Sequence, residues 1–175
     1  MRRRGVVHRM VAFTLEGSMG LAMDFSKLKA HEVLDLAIYA EEEAKESYEN
    51  LAGLMETRQL RDIAAFFHRM AGLEDLHREQ ILAQRKLLFP HQAATLANRA
   101  LWSIETGTLK APNADLPLVD AFKLALEAEV RAYDYYTDAL EYVTEPTTEK
   151  LFEGLRQAEV EHQRLLRAEL AKHTS

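Results

Sequence analysis

Cysteine is missing altogether from the 175 residues. Its absence excludes disulfides, thiol nucleophiles, iron–sulfur clusters and cysteine-bound zinc in one step. It is compatible with a reducing cytoplasm, the expected location. Helix breakers are scarce too: 4 Pro and 7 Gly, which are read as falling between the periodic segments. No window approaches the roughly 18–20 consecutive apolar residues that a membrane span requires. Basic residues are outnumbered 22 to 28, leaving a net charge of -6, so nothing electrostatic favours nucleic acid or an anionic membrane as partner.

The remaining composition is globular, with 47% hydrophobic and 29% charged residues; a disordered chain would be poorer in the first. The length suits one domain with a sizeable core, read here as residues 24–175. Residues 1–23 stand apart. Arg2-Arg3-Arg4 precedes an apolar run from Val6 to Leu15, but His8 and Arg9 leave it too short and too polar for a secretion signal. The stretch reads as a disordered or wrongly assigned leader, with Met19 or Met23 as alternative starts.

One segment occurs twice. Glu41 is followed by Ala44 and Tyr48, and later by Glu74 and His77; Glu129 is followed by Ala132 and Tyr136, and later by Glu159 and His162. Each half reduces to E-x-x-A-x-x-x-Y and then E-x-x-H. The first element repeats at an offset of 88 residues and the second at 85, as expected of two helical hairpins differing by three residues in the connecting turn.

The spacing of apolar residues by three and four predicts four helices. The first runs from about Ala30 to Thr57, with Glu41 and Tyr48 on its apolar stripe, two turns apart, which is about 20° around the axis and about 10 Å along it. Glu42, Glu43 and Glu46 point elsewhere and are expected to be solvated. The second runs from about Arg58 to Leu88 with Leu73, Leu76 and Ile81 inward, and Pro90 ends it. Glu74 and His77, at i and i+3, share its inner face. The third runs from about Pro117 to Val143 and the fourth from about Thr147 to Lys172. Residues 89–115 form a polar connection, with a short helical turn expected around Ala93–Trp102. It is long for a connection but suited to crossing the length of a bundle. The predicted fold is all-α: a four-helix bundle of two hairpins joined by a long crossover.

Packing the four stripes together brings Glu41, Glu74, Glu129 and Glu159 into one core. Desolvated carboxylates repel, each costing several kcal/mol unless neutralised. Two divalent cations would cancel the charge of all four, and His77 and His162 would complete the ligand set. Carboxylate and imidazole ligation suits iron or manganese better than a closed structural zinc site. One Glu from each of two helices and E-x-x-H from the other two is the pattern of di-iron carboxylate bundles, as the general rules for helix bundles already state.

On these residues, the stretch from about 30 to 170 resembles the rubrerythrin-type, ferritin-like di-iron domain. The resemblance implies a ferritin-like bundle holding two iron ions, with manganese or zinc as possible substitutes. It implies Glu41, Glu74, His77, Glu129, Glu159 and His162 as ligands. Tyr48 and Tyr136 match the family's tyrosine seven residues after the first Glu, which hydrogen-bonds a ligand carboxylate. It also implies reaction with hydrogen peroxide or oxygen, in a protein tied to oxidative stress. Two departures matter. A full rubrerythrin carries a four-cysteine iron domain that delivers electrons, which this chain cannot supply, so an external donor is expected. Typical members also carry an extra Glu three residues before the third-helix ligand; here that position is Leu126, and Glu127 is turned about 160° from Glu129. The expectation is a rubrerythrin-like peroxidase, probed against two alternatives: a ferroxidase-type iron-handling protein without sustained turnover, and a metal-free bundle with Glu41 and Glu129 in solvent. A homodimer is expected.

Overall fold

The computed structural model describes residues 24–94 and 113–174. The leader, the expected turn up to Trp102 and most of the crossover lie outside the described residues. A single 3-10 turn, Phe25–Lys27, precedes four long helices: α1 (Ala30–Thr57), α2 (Arg61–Leu88), α3 (Leu118–Leu140) and α4 (Pro146–Ala171). There is no strand among the described residues. The fold is a four-helix bundle, as the periodicity predicts.

The ends of the helices are fixed by local chemistry. The Glu32 carboxylate accepts from the Lys29 N–H at 2.8 Å at the start of α1, satisfying one of the donors a helix start leaves unpaired. Between α1 and α2 the chain reverses in three residues. Gln59 takes φ 62, and the Leu60 N–H reaches back to the Met55 carbonyl at 2.9 Å, closing α1 in the left-handed manner usual for helix ends. α2 therefore begins at Arg61, not at Arg58. At the other turn, Glu145 accepts from the N–H groups of Thr147 and Thr148 at 3.1 and 2.7 Å, with Pro146 in the first turn where its missing N–H costs nothing. α3 stops at Leu140 rather than Val143, and α4 spans Pro146 to Ala171 rather than Thr147 to Lys172.

The three-residue difference between the halves is not in the turn, which is shorter in the first hairpin: residues 58–60 against 141–145. It lies in α1, which runs on from Glu41 to Thr57, whereas α3 ends at Leu140, closer to its Glu129. Gly53, Gly72 and Gly154 also depart from expectation by lying inside helices.

Both ends of the crossover are held by arginines. Arg85 donates to the carbonyls of Phe89 and Gln92, each at 2.8 Å, and its other guanidinium edge pairs with Asp35 of α1 at 2.8 and 3.2 Å. Arg58, at the opposite end of the first hairpin, donates to the carbonyls of Leu116, at 2.6 Å, and Ala114. The two anchors lie at opposite ends of the bundle, so α3 runs antiparallel to α1. The Tyr135 hydroxyl, late in α3, donates to the carbonyl of Val33, early in α1, at 2.6 Å.

Two apolar clusters fill the bundle. One gathers Leu51, Met55, Phe66, Phe67, Met70 and Phe122; the other gathers Leu34, Leu36, Ile81, Tyr135, Phe152 and Leu155. The four carboxylates belong to neither. They form a polar layer between two apolar plugs, which leaves them little water. One inward assignment fails: Leu76 is 59% exposed. Of the three acids expected in solvent, Glu46 is exposed, whereas Glu42 and Glu43 are half-buried. None of the described helices is long and apolar enough to cross a membrane.

Candidate metal centre

Each helix contributes one carboxylate to the middle layer. Glu41, Glu74, Glu129 and Glu159 are at most 2% exposed, and His162 is 3% exposed. His77 is more open, its side chain 12% exposed. The metal-free reading expects Glu41 and Glu129 in solvent; both are buried instead. Leu126, where an extra Glu was sought, packs against the apolar cluster around Phe67 and Phe122, and Glu127 is exposed.

Around the imidazoles the carboxylates are arranged in two sets. His77 Nδ1 lies 3.3 Å from Glu74 Oε2 and 3.6 Å from Glu41 Oε2. His162 Nδ1 lies 3.1 Å from Glu74 Oε1, 3.1 Å from Glu129 Oε2 and 3.5 Å from Glu159 Oε2. Glu74 therefore offers one oxygen to each side. The two rings stack at 5.2 Å with 15° between their planes. One donor atom from each of Glu74, His77, Glu159 and His162 falls within 4.8 Å of the others.

The tyrosines complete the layer, in a pattern not visible from spacing alone. The Tyr48 hydroxyl donates to Glu129 Oε1, and the Tyr136 hydroxyl donates to Glu41 Oε1. Each phenol serves the carboxylate of the other hairpin. Two turns separate Glu41 from Tyr48 on one helix, too far for a bond. Because α1 and α3 are antiparallel, however, Tyr48 stands opposite Glu129 and Tyr136 opposite Glu41. Each bond holds one carboxylate oxygen back and leaves the other, Oε2, facing the imidazoles.

Proton affinities follow from this crowding. Burial raises Glu41 to about 7 against the pull of His77, and burial together with Glu129 pushes Glu159 well above the usual carboxylate range. Burial would raise Glu74 as well, but His162 and His77 outweigh it and hold that carboxyl at about 2. Burial would lower both imidazoles; instead Glu41 and Glu74 lift His77 to about 9, and Glu129, Glu159 and Glu74 hold His162 well above its ordinary value. Burial and the facing carboxylates raise Tyr48 and Tyr136, keeping them as phenol donors. Without metal, protons do the neutralising.

They do it incompletely. Both oxygens of Glu74, Oε1 of Glu159 and Nδ1 of His77 are buried with no hydrogen-bond partner. Native structures rarely leave such atoms unsatisfied, and each costs roughly 1–3 kcal/mol or more when charged. Atoms of that kind converging from α2 and α4 are what cation coordination satisfies, so the residues present fit a divalent metal pair. Carboxylate oxygens and imidazole nitrogens are suitable donors for iron, manganese or zinc alike.

Sequence reasoning missed the Asp35–Arg85 pair, both members buried; the lone Asp within Val33–Ala37 was the available signal. It also missed the surroundings of His77, where Gln80, Lys150 and Gly154 border an opening; nothing in the spacing marked these.

Comparison with known proteins bears on the whole layer. A hypothetical protein from Pyrococcus furiosus has a similar structure, with a TM-score of 0.68 and 24% identity, covering 83% of this chain and 90% of that one. A bacterioferritin from Rhodobacter capsulatus, solved with a metal-free dinuclear site and haem iron, aligns with a TM-score of 0.66 and 21% identity over 82% of this chain and 84% of its own. Both likenesses speak to the fold alone. No curated protein matches the sequence. The rubrerythrin family model matches residues 32–170, a span that includes all four helices almost entirely and every residue of the candidate centre. The chain belongs to the rubrerythrin family.

Proposed function

We propose that this protein is a di-iron oxidoreductase that reduces hydrogen peroxide, or oxygen, with electrons from an external one-electron donor. The observation that supports the reading best is the set of buried donor atoms on Glu74, Glu159 and His77 that face one another yet make no hydrogen bond. Two bound ferrous ions would supply two electrons to the O–O bond of the oxidant. Reduction of one peroxide to two waters consumes those two electrons and two protons. The chain itself binds and orients. Glu41 and His77 would hold one ion, Glu129 and His162 the other, with Glu74 and Glu159 between them. Tyr48 and Tyr136 fix the outer carboxylates, and the apolar clusters on either side limit water. With no cysteine in the chain, the returning electrons come from a separate carrier.

The test is anaerobic loading with Fe(II), metal counting per chain, and stopped-flow mixing with peroxide and with oxygen, beside Glu74→Ala. The proposal expects about two irons per chain and faster oxidation by peroxide. Preference for oxygen, with iron released afterwards, would replace it with an iron-handling role. Equal metal binding by wild type and Glu74→Ala would remove the centre.

A further inference from the structure

Of the six residues in the centre, His77 borders an opening at the surface of the described residues. That opening, about 450 Å³, lies between α2 and α4 and is bordered by Gln80, Thr147, Lys150, Leu151, Gly154 and Leu155. Two other cavities, one between Leu34, Leu88 and Val143 and one between Asp35, Arg85 and Phe89, include no residue of the centre. The difference in exposure between the two imidazoles has the same origin: 12% for His77 against 4% for His162. The pseudo-symmetric centre is thus open on one side.

The border of the opening combines a glycine, apolar and neutral polar side chains and one lysine. Gly154 lies within α4, and a Cβ added there would meet nothing within 4 Å. No side chain roofs the gap at that position, although glycine inside a helix costs about 1 kcal/mol relative to alanine. Leu151 and Leu155 give apolar walls; Gln80 and Thr147 give neutral polar groups. Among the described residues on the border, Lys150 is the one charged side chain besides the titratable His77, and it forms no ion pair among them. Among the described residues no carboxylate lines the opening, although carboxylates are the groups that attract and strip a hydrated divalent cation.

The geometry points to this opening as the entry by which a small neutral or anionic oxidant reaches the centre, with Gly154 setting the width and Lys150 disfavouring cations. The inference rests on the proposed metal centre and narrows its substrate: peroxide-sized molecules enter beside His77, whereas hydrated Fe(II) gains nothing there. Gly154 and Lys150 are specificity-determining residues, remote from the reacting atoms.

Two measurements test it. In the metal-free protein, diethylpyrocarbonate labelling of His77 is followed by peptide mapping, with buried His162 as internal control. Gly154→Leu should slow labelling of His77 at least roughly fivefold and leave circular dichroism unchanged; Gly154→Ala, too small to cover the gap, should not. In the Co(II)-loaded protein, azide binding is followed by the visible cobalt spectrum. Gly154→Leu should slow azide arrival by about tenfold. Lys150→Glu, reversing one charge at the mouth, should slow it roughly three- to tenfold at low salt without slowing Co(II) uptake. If wild type takes up no Co(II), the centre itself fails and the entry with it. If Co(II) binds and azide arrives equally fast in wild type and Gly154→Leu, the entry alone is overturned. Slower Co(II) uptake in Gly154→Leu together with faster uptake in Lys150→Glu would overturn the exclusion of cations.

Discussion

Tyr136→Phe removes one oxygen and little else, which makes it a sharp probe of the crossed hydrogen bonds. The ring is fully buried and packs edge-on against Phe152 at 5.2 Å and Tyr135 at 5.3 Å; phenylalanine keeps both contacts. What is lost is the donor to Glu41 Oε1, on a carboxylate only 2% exposed. The size of the loss depends on the charge of Glu41, whose pKa burial raises to about 7. At pH 8.5 the acceptor is ionised, and losing a hydrogen bond to a charged group costs about 1.5–3 kcal/mol; at pH 6 it is mostly neutral, and the cost falls to about 0.5–1.5 kcal/mol. For a chain of this length about 2 kcal/mol lowers Tm by roughly 4–8 °C. Urea and thermal denaturation of the metal-free protein at the two pH values measure both figures, with Tyr48→Phe as the counterpart on the other side. A change below about 0.5 kcal/mol at both pH values, or a larger change at pH 6 than at 8.5, would refute the claim that these phenols hold the carboxylates.

Three further outcomes are expected. The metal-free protein should lose stability as pH rises from about 4.5 to 9. The folded-state values of Glu41 and His77 are raised, from 4.5 to about 7 and from 6.5 to about 9, so their contributions are whole below 4.5 and 6.5 and are lost through 7 and 9. Glu74, lowered to about 2, acts oppositely and only below about pH 4.5. Bound metal must reverse the trend, because ligands bind deprotonated; urea midpoints with chelator and with Fe(II) or Mn(II) across this range check both signs. Arg85→Met should cost roughly 3–5 kcal/mol by stranding buried Asp35, whereas Asp35→Leu combined with Arg85→Met should cost much less, as a double-mutant cycle in urea would show. Finally, Leu76→Gln should change stability by less than about 0.5 kcal/mol, against roughly 3–5 kcal/mol for Phe67→Ala, measured side by side.

The contrast between Leu76 and Phe67 shows what periodicity can and cannot tell. A 3.6-residue period assigns a face when several residues agree. Phe67, Met70, Glu74, His77 and Ile81 do agree, whereas Leu76, two residues from Glu74, is turned about 200° from it. Both E-x-x-H pairs, and the Glu–Tyr spacing, were legible because each lies within a single helix. Which helix faces which is decided by the direction of the chain, and a sequence states that only weakly. The crossing of Tyr48 to Glu129 and of Tyr136 to Glu41 therefore emerged only with antiparallel α1 and α3. Asp35 and Arg85 are fifty residues apart, each looking like an interruption in an apolar stripe until they meet. The length difference between the hairpins was read as turn length because a turn is the usual place for an insertion; here the longer α1 absorbs it. The opening beside His77 left no trace in the spacing, because a gap is defined by where α2 and α4 fail to touch.

Because the hairpins trade tyrosines, neither can be cut free intact. A fragment of α1 and α2 alone would keep Glu41, Glu74, His77 and Tyr48, yet its phenol would have no carboxylate opposite. Two such fragments meeting around a two-fold axis would restore both bonds, Tyr48 of each copy to Glu41 of the other, since an isologous interface is self-complementary. The present chain carries that pairing within one polypeptide, at an effective concentration that two separate molecules do not reach. Duplication joined in tandem frees each copy from having to be its own partner. The halves can then drift apart everywhere except where they grip one another. Ser47 stands in the first half at the position that Tyr135 occupies in the second, while the traded Glu–Tyr pairs remain the same in both.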